Sequence, residues 1–168
     1  MRAIPVTVAV TIALLASGCF LPTGPEMHFT RSKPSETELI GTWRPTADTL
    51  KDIRDRGRYL TVEHELILRS DHTFSMRNMP DGWHDGLAEP HGHFDSGEGT
   101  WELAPKDNAW QIWVVYLHFA EVRSHEPKVQ AYSGMTVHLY HQRSPYLIFV
   151  ELGDPDLGLG MLFERTKT

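Results

Sequence analysis

From Leu39 onward, short apolar runs alternate with turn signals along the chain. Runs of this length that are rich in β-branched and aromatic residues predict β-strands. The predicted strands span 39–44, 59–69, 73–78, 99–103, 110–119, 132–142, 146–152 and 161–165. The short links between them, such as 70–72 and 143–145, favour antiparallel neighbours.

One helix is predicted among these strands, over 46–56. Leu50 and Ile53 share a face of that helix, and Gly57 can terminate it. About eight strands in sequence with one early helix predict an all-β fold, an antiparallel meander that closes into a small barrel. A β-sandwich is the alternative.

The predicted strand 110–119 is apolar on both faces. One face carries Trp110, Ile112, Val114 and Tyr116, and the other carries Trp113, Val115, Leu117 and Phe119. An antiparallel strand with one wet face would alternate instead. We therefore expect the second face to pack under the predicted helix or a long loop. An exposed aromatic patch for a partner is the alternative.

The N-terminus reads as a secretory signal. Arg2 precedes the apolar run 6–15, which is too short to cross a bilayer as a helix, and small residues lead to Cys19. The sequence Leu15-Ala16-Ser17-Gly18-Cys19 resembles the lipobox of bacterial lipoproteins. That resemblance implies cleavage before Cys19 and a diacylglycerol on its thiol.

The predicted organisation is a signal peptide over 1–18, a flexible tether over 19–36 and a barrel domain over 37–168. Pro22, Gly24, Pro25 and a polar run leave the tether little to bury. Two or more lipid chains on Cys19 would hold the protein stably at a bilayer. We expect a location in the cell envelope. If the host has two membranes, the periplasmic side of the outer membrane is favoured, because Phe20 follows the cysteine where an aspartate would resemble an inner-membrane retention signal.

Charge and cysteine content narrow the range of partners. The chain has 168 residues, one cysteine and a net charge of −6. The predicted signal carries one basic residue and no acidic one, so the mature chain reaches −7. This acidity argues against nucleic acid as a partner. With no second cysteine for a disulfide, a hydrophobic core must supply the stability.

Three short motifs resemble lipocalins and related small barrels: Gly41-Thr42-Trp43, Asp71-His72-Thr73-Phe74 and Gly99-Thr100-Trp101. The end of the chain, from Pro145-Tyr146 through 153–156 to Phe163-Glu164-Arg165, is similar to a set of bacterial lipocalin-like proteins. The resemblance implies a barrel that often holds a small apolar ligand. It also implies that Trp43 plugs one end of the barrel and that the guanidinium of Arg165 lies over its indole. If a cavity exists, Phe74, Trp101 and Trp113 are the aromatic residues expected to line it.

The predicted loop 78–97 concentrates polar chemistry. Its histidines His84, His91 and His93, with a nearby carboxylate, are the candidate metal ligands, since imidazole and carboxylate suit zinc or copper. Their spacing matches no zinc motif. We therefore predict a polar loop without a tightly bound metal.

The function expected from these patterns is non-catalytic. We expect a membrane-anchored lipoprotein that binds a small, partly apolar molecule or serves a structural role in the envelope, without a cofactor. A metal-dependent or hydrolytic enzyme using the histidine-rich loop is one alternative. A protein-interaction module is the other.

Overall fold

A computed structural model describes residues 28–55, 63–81, 92–106, 111–125, 129–151 and 160–166, with the side chains of all but 52–55. The chain forms a closed antiparallel barrel in which each strand pairs with the next and the last pairs with the first. The strands are β1 (Gly41–Pro45), β2 (Glu65–Leu68), β3 (Thr73–Pro80), β4 (Phe94–Pro105), β5 (Trp113–Arg123), β6 (Gly134–Tyr140), β7 (Leu147–Glu151) and β8 (Gly160–Arg165). The helices are α1 (Glu36–Leu39) and α2 (Ala47–Asp55), and a 3₁₀ turn spans Val129–Ala131.

The predicted all-β barrel of eight strands with a helix after the first strand is confirmed, and the sandwich alternative is wrong. Several strand bounds differ from the prediction. Strand β4 begins at Phe94 rather than Gly99, and β3 runs on to Pro80, so strand pairing occupies both ends of the predicted loop 78–97. Strand β5 likewise continues to Arg123.

The barrel interior is filled by side chains that alternate along the strands. The interior cluster consists of Trp43, Leu66, Leu68, Phe74, Met76, Met79, Trp101, Val115, Leu117, Val122, Val137, Leu139, Ile148, Val150, Met161 and Phe163, with Leu39, Val129 and Tyr146 added from the links. Burial of this apolar surface is the main source of stability in a chain that lacks a disulfide.

Helix α2 is held by its first turn. The hydroxyl of Thr46 accepts a hydrogen bond of 3.3 Å from the amide of Thr49, which is the N-cap arrangement. The hydroxyl of Thr49 in turn donates to the carbonyl of Leu162, and the amide of Leu162 donates back to it at 3.0 Å. These bonds fix the start of α2 against β8.

The barrel has two distinct ends. At the Trp43 end, α1 leads into β1, and the turn 69–72 and the link 141–146 return the chain between neighbouring strands. At the His93 end, α2 leaves β1, β3 ends and β4 begins, and the 3₁₀ turn lies between β5 and β6. Among the described residues, no helix is long and apolar enough to cross a membrane.

The outward face of β5 is covered by the segment that precedes α1. Phe29 packs against Ile112, Val114 and Phe149 in a second apolar cluster outside the barrel. Residues 28–36 therefore lie against the barrel, although the sequence analysis placed them in the flexible tether. The cover is this segment, not the helix or loop that we expected over β5.

Candidate functional site

Two of the three predicted ligand-lining residues belong to the interior cluster of the barrel. Phe74 and Trp101 are 1% and 2% exposed, and both belong to the interior cluster. Phe74 meets Phe119 edge to face, with ring centroids 5.2 Å apart. Both side chains are packed among the other interior residues of the barrel.

Trp113 lies apart from the other two. It is half-buried at the start of β5, outside the interior cluster, and its amide donates to the carbonyl of Thr30 at 2.8 Å. The ammonium of Lys33 lies 5.3 Å from its ring centroid, within the range of a cation–π contact. The three aromatic residues therefore do not converge on one site.

The turn before Phe74 contacts the indole of Trp101 and holds it in place. The carboxylate of Asp71 accepts hydrogen bonds from the amide and hydroxyl of Thr73 at 3.0 and 2.7 Å, and these bonds lower the pKa of Asp71. His72 takes the left-handed conformation, with φ at 61°. Its ring stacks on the indole of Trp101 at 5.0 Å. The motif is thus a structural turn.

Trp43 and Arg165 lie opposite each other where β1 pairs with β8. The indole Nε1 of Trp43 donates to the carbonyl of Leu39 at 2.8 Å. The guanidinium does not take up the stacked position over the indole that we expected. Its Nη1 hydrogen-bonds to the carbonyl groups of Thr37, Glu38 and Ile40 at 3.4, 3.1 and 3.3 Å. Among the described residues, the cation–π contact is the one between Lys33 and Trp113.

Buried polar groups gather at the opposite end. His64, Asp81 and Asp95 are all buried there, and Asp95 is fully excluded from solvent. Asp95 shares the inward face of β4 with Trp101 by strand alternation. The amide of His93 donates to the carboxylate of Asp81 at 3.3 Å. An inward carboxylate contrasts with the apolar interior of the rest of the barrel.

His64 is tied to an irregular part of β3. Its Nδ1 hydrogen-bonds to the carbonyl of Asn78, which has a positive φ of 55° where the β3–β4 register shifts. A carbonyl only accepts, so Nδ1 carries the proton. Burial lowers the pKa of His64, and the bond to Asn78 opposes that shift. Burial therefore favours the neutral form of this imidazole.

A shallow open pocket of about 610 Å³ lies on the rim at this end. We call it the rim pocket, and its lining residues are His93, Phe94, Glu121, Val122, Arg123, Ser124, His125 and Gln130. The imidazoles of His93 and His125 stack with centroids 4.2 Å apart and an interplanar angle of 23°. The Nε of Arg123 lies 3.4 Å from the carboxylate of Glu121.

The predicted metal set is only partly described. His84 and His91 lie outside the described residues, whereas His93 is exposed and stacks on His125. Within the described ranges, no three histidine, cysteine, aspartate or glutamate side chains come together as a metal site. Sequence reasoning missed His125, because the predicted strand ended at Phe119 and gave no reason to bring this residue to His93.

Comparison with protein-family models, with curated proteins and with solved structures found no match for this chain. Cys19 lies outside the described residues. Its lipidation therefore stays a prediction from the N-terminal sequence.

Proposed function

We propose that the protein is a lipid-anchored lipoprotein of the cell envelope, and that its barrel is a non-catalytic binding module whose ligand is taken at the rim pocket. The observation that carries the binding proposal is the stacked pair of His93 and His125 beside Phe94 and Val122 in that pocket. Flat rings and apolar side chains at an open rim suit a planar, partly apolar molecule.

The polar lining defines the rest of the ligand. Gln130 and Ser124 supply hydrogen-bond donors, and Arg123 supplies a positive charge that Glu121 partly neutralises. A ligand with a hydrogen-bond acceptor next to its ring fits this mixture better than a pure hydrocarbon does. The filled barrel interior supports the rim as the binding place, because Phe74 and Trp101 already occupy the core.

Titration with benzoate and benzamide tests the binding proposal. The two probes have the same shape and differ in charge, so their comparison reports whether Arg123 contributes. We expect saturable amide shifts at His93, Val122 and His125 in NMR spectra, and their loss in His125→Ala. His118→Ala is the matched control, since His118 is an exposed histidine on β5, the strand that leads to His125, and it is bonded to Glu102 at 3.0 Å. Shifts that never saturate, or that survive in His125→Ala, would refute the proposal.

The anchor is tested separately. Wild type and Cys19→Ser are expressed with the full N-terminus and partitioned between detergent and water. We expect the wild type in the detergent phase and Cys19→Ser, which lacks the thiol, in the aqueous phase. Aqueous partitioning of both proteins would refute the lipid anchor and leave the binding proposal untouched.

A further inference from the structure

Residues 28–33, which we call the strap, are bonded to the outside of the barrel like an additional short strand. The amide of Thr30 donates to the carbonyl of Leu139 at 2.9 Å, and the amide of Trp113 donates to the carbonyl of Thr30 at 2.8 Å. The amide of His141 donates to the carbonyl of His28 at 2.8 Å. The strap therefore joins the Trp43 ends of β5 and β6.

Two side chains of the strap are buried. The hydroxyl of Thr30 donates to the carbonyl of His141, and the ring of Phe29 is the apolar anchor. Phe29 is 2% exposed, and its ring fills a socket formed by Ile112, Val114 and Phe149. The floor of that socket is an imidazole. The ring of His138 stacks under Phe29, with centroids 4.5 Å apart and an interplanar angle of 29°.

His138 is an unusual residue for this position. It is 5% exposed, and its Nδ1 has no hydrogen-bond partner among the described residues. The apolar side chains around it solvate a neutral ring but not an imidazolium. Burial lowers the pKa of His138 to about 4, and the positive charge of Lys106 adds to the effect.

No carboxylate is bonded to His138 within the described part of the chain. By strand alternation and position, the titratable and charged groups on this outer face are Tyr116, His118, Tyr140, Glu151 and Glu164 on the strands, Glu102 opposite Tyr116 on β4, Lys106 after β4, and His28, Arg31 and Lys33 on the strap. Four basic groups lie on the strap and after β4: His28, Arg31 and Lys33 on the strap, and Lys106 after β4. A proton on His138 would therefore place a further positive charge among basic side chains.

We propose that the strap is an acid-released latch: protonation of His138 undocks Phe29 and frees residues 28–33, while the eight-stranded barrel stays closed. The barrel can survive this step because its ladder is complete without the strap. The strap contributes a single isolated bridge, between Phe29 and Tyr140, and no pair to the closed ladder.

The direction of the effect follows from the two pKa values. With Phe29 docked the pKa of His138 is about 4, and in the released state it returns towards the ordinary value of 6.5. Docking is therefore at full strength above pH 6.5 and weakens as the pH falls towards 4. At pH 5 the ratio of docked to released molecules should be about 20-fold lower than at pH 7.

Release would have two consequences. It would uncover the apolar socket of Ile112, Val114 and Phe149. It would also add about 20 Å of extended chain between the barrel and whatever holds the N-terminus. In the lipid-anchored form, a point that rests on the proposed function, this extra length would let the barrel move further from the bilayer.

Amide hydrogen exchange of the barrel domain with its N-terminal segment, corrected for intrinsic rates, tests the latch at pH 7, 6 and 5. We expect the protection of the Thr30 and Trp113 amides to fall about 20-fold between pH 7 and pH 5. The core amides of Val115 and Leu117 should keep their protection. If Thr30 stays protected, or if Val115 loses protection together with it, the latch is wrong.

Three variants assign the effect to the stack. His138→Leu should keep the strap docked at pH 5, and Phe29→Ala should release it already at pH 7. His28→Gln is the matched control, because it removes an exposed histidine from the strap itself and should leave the pH dependence unchanged. Persistence of the acid response in His138→Leu would overturn the proposal.

A direct titration covers the case in which His138→Leu does not fold. The ring signals of His138 in Phe29→Ala should titrate with a midpoint near 6.5, and those in the wild type with a clearly lower midpoint. Equal midpoints in the two proteins would show that Phe29 does not control the imidazole. Because none of these measurements uses the lipid or a ligand, their failure leaves the proposed function standing, and failure of the anchor leaves the latch standing.

Discussion

Trp43 and Arg165 face each other across the seam between β1 and β8, and both hold the carbonyl groups at the end of α1. The indole N–H of Trp43 donates a hydrogen bond to the carbonyl of Leu39, and the guanidinium of Arg165 donates one to the carbonyl of Glu38. The last carbonyls of a helix have no partner within the helix itself. The pair therefore joins barrel closure to the capping of α1.

Trp43→Ala should be among the most damaging substitutions in the chain. It removes an almost fully buried indole from the interior cluster and leaves the Leu39 carbonyl without its donor. We expect a loss of about 3–5 kcal/mol in the free energy of unfolding, measured by urea denaturation. A loss below about 1 kcal/mol would contradict the assignment of Trp43 as a core plug.

Arg165→Met removes the hydrogen-bond donors of Arg165 and keeps an unbranched apolar side chain in place of its aliphatic stem. Methionine can still pass over Gly41, where the Arg165 Cδ lies 3.1 Å from the position a Cβ would take. Loss of the donors to α1 should cost about 1–2 kcal/mol in the free energy of unfolding. Arg143→Met, at an exposed position between β6 and β7, is the control and should change stability by less than about 0.5 kcal/mol.

Substitutions at His72 should separate backbone strain from ring stacking. His72 has a φ of 61°, a conformation that glycine adopts freely and alanine does not. His72→Ala should be less stable than His72→Gly by about 1 kcal/mol, because both lose the stack on Trp101 and only alanine keeps the strain. Thermal unfolding of the two variants measures the difference, and equal midpoints would argue against strain at this turn.

Gly99→Ala should prevent normal folding. A Cβ at this position would lie 1.9 Å from the backbone carbonyl oxygen of His118, at the point where the β4–β5 register shifts. The neighbouring strand would have to move, because the obstacle is backbone rather than a flexible side chain. Circular dichroism and solubility measure the outcome. Thr100→Ala, at the next and exposed position of β4, is the control and should fold normally.

Metal analysis tests the prediction for the histidine-rich loop. Elemental analysis after purification without chelators should find much less than one zinc or copper per chain, because the histidine spacing fits no structural zinc site. Near-stoichiometric metal that disappears in His93→Ala and His91→Ala would reverse this prediction and favour the enzyme alternative. His118→Ala serves as the control for a histidine outside the loop.

Local patterns predicted the barrel because its strands alternate. Gly41 to Pro45 and Gly160 to Arg165 carry inward apolar residues at every second position, which the sequence alone displays. Strand β4 begins earlier than predicted because Asp95 and Gly97 take inward positions where apolar residues are the rule. A buried carboxylate cannot be distinguished from a loop residue by its local sequence.

A different reason explains why the strap and the rim pocket could not be predicted from the sequence. The contact of Phe29 with His138, and that of His93 with His125, join positions far apart in sequence. Neither pair forms a motif, and the polar residues after Thr30 resemble a solvated linker. Only the register of β5, β6 and β7 brings Val114, His138 and Phe149 together to receive Phe29.

The pairing of β8 with β1 also bears on how the protein behaves when many copies are crowded together. An open sheet presents unpaired amide and carbonyl groups along its outer strands, and these can pair with another molecule. In this barrel each of the eight strands has a neighbour on both sides. Copies concentrated on a two-dimensional surface would therefore find no strand on which to extend a shared sheet. Closure in this way opposes polymerisation, in addition to stabilising the single chain.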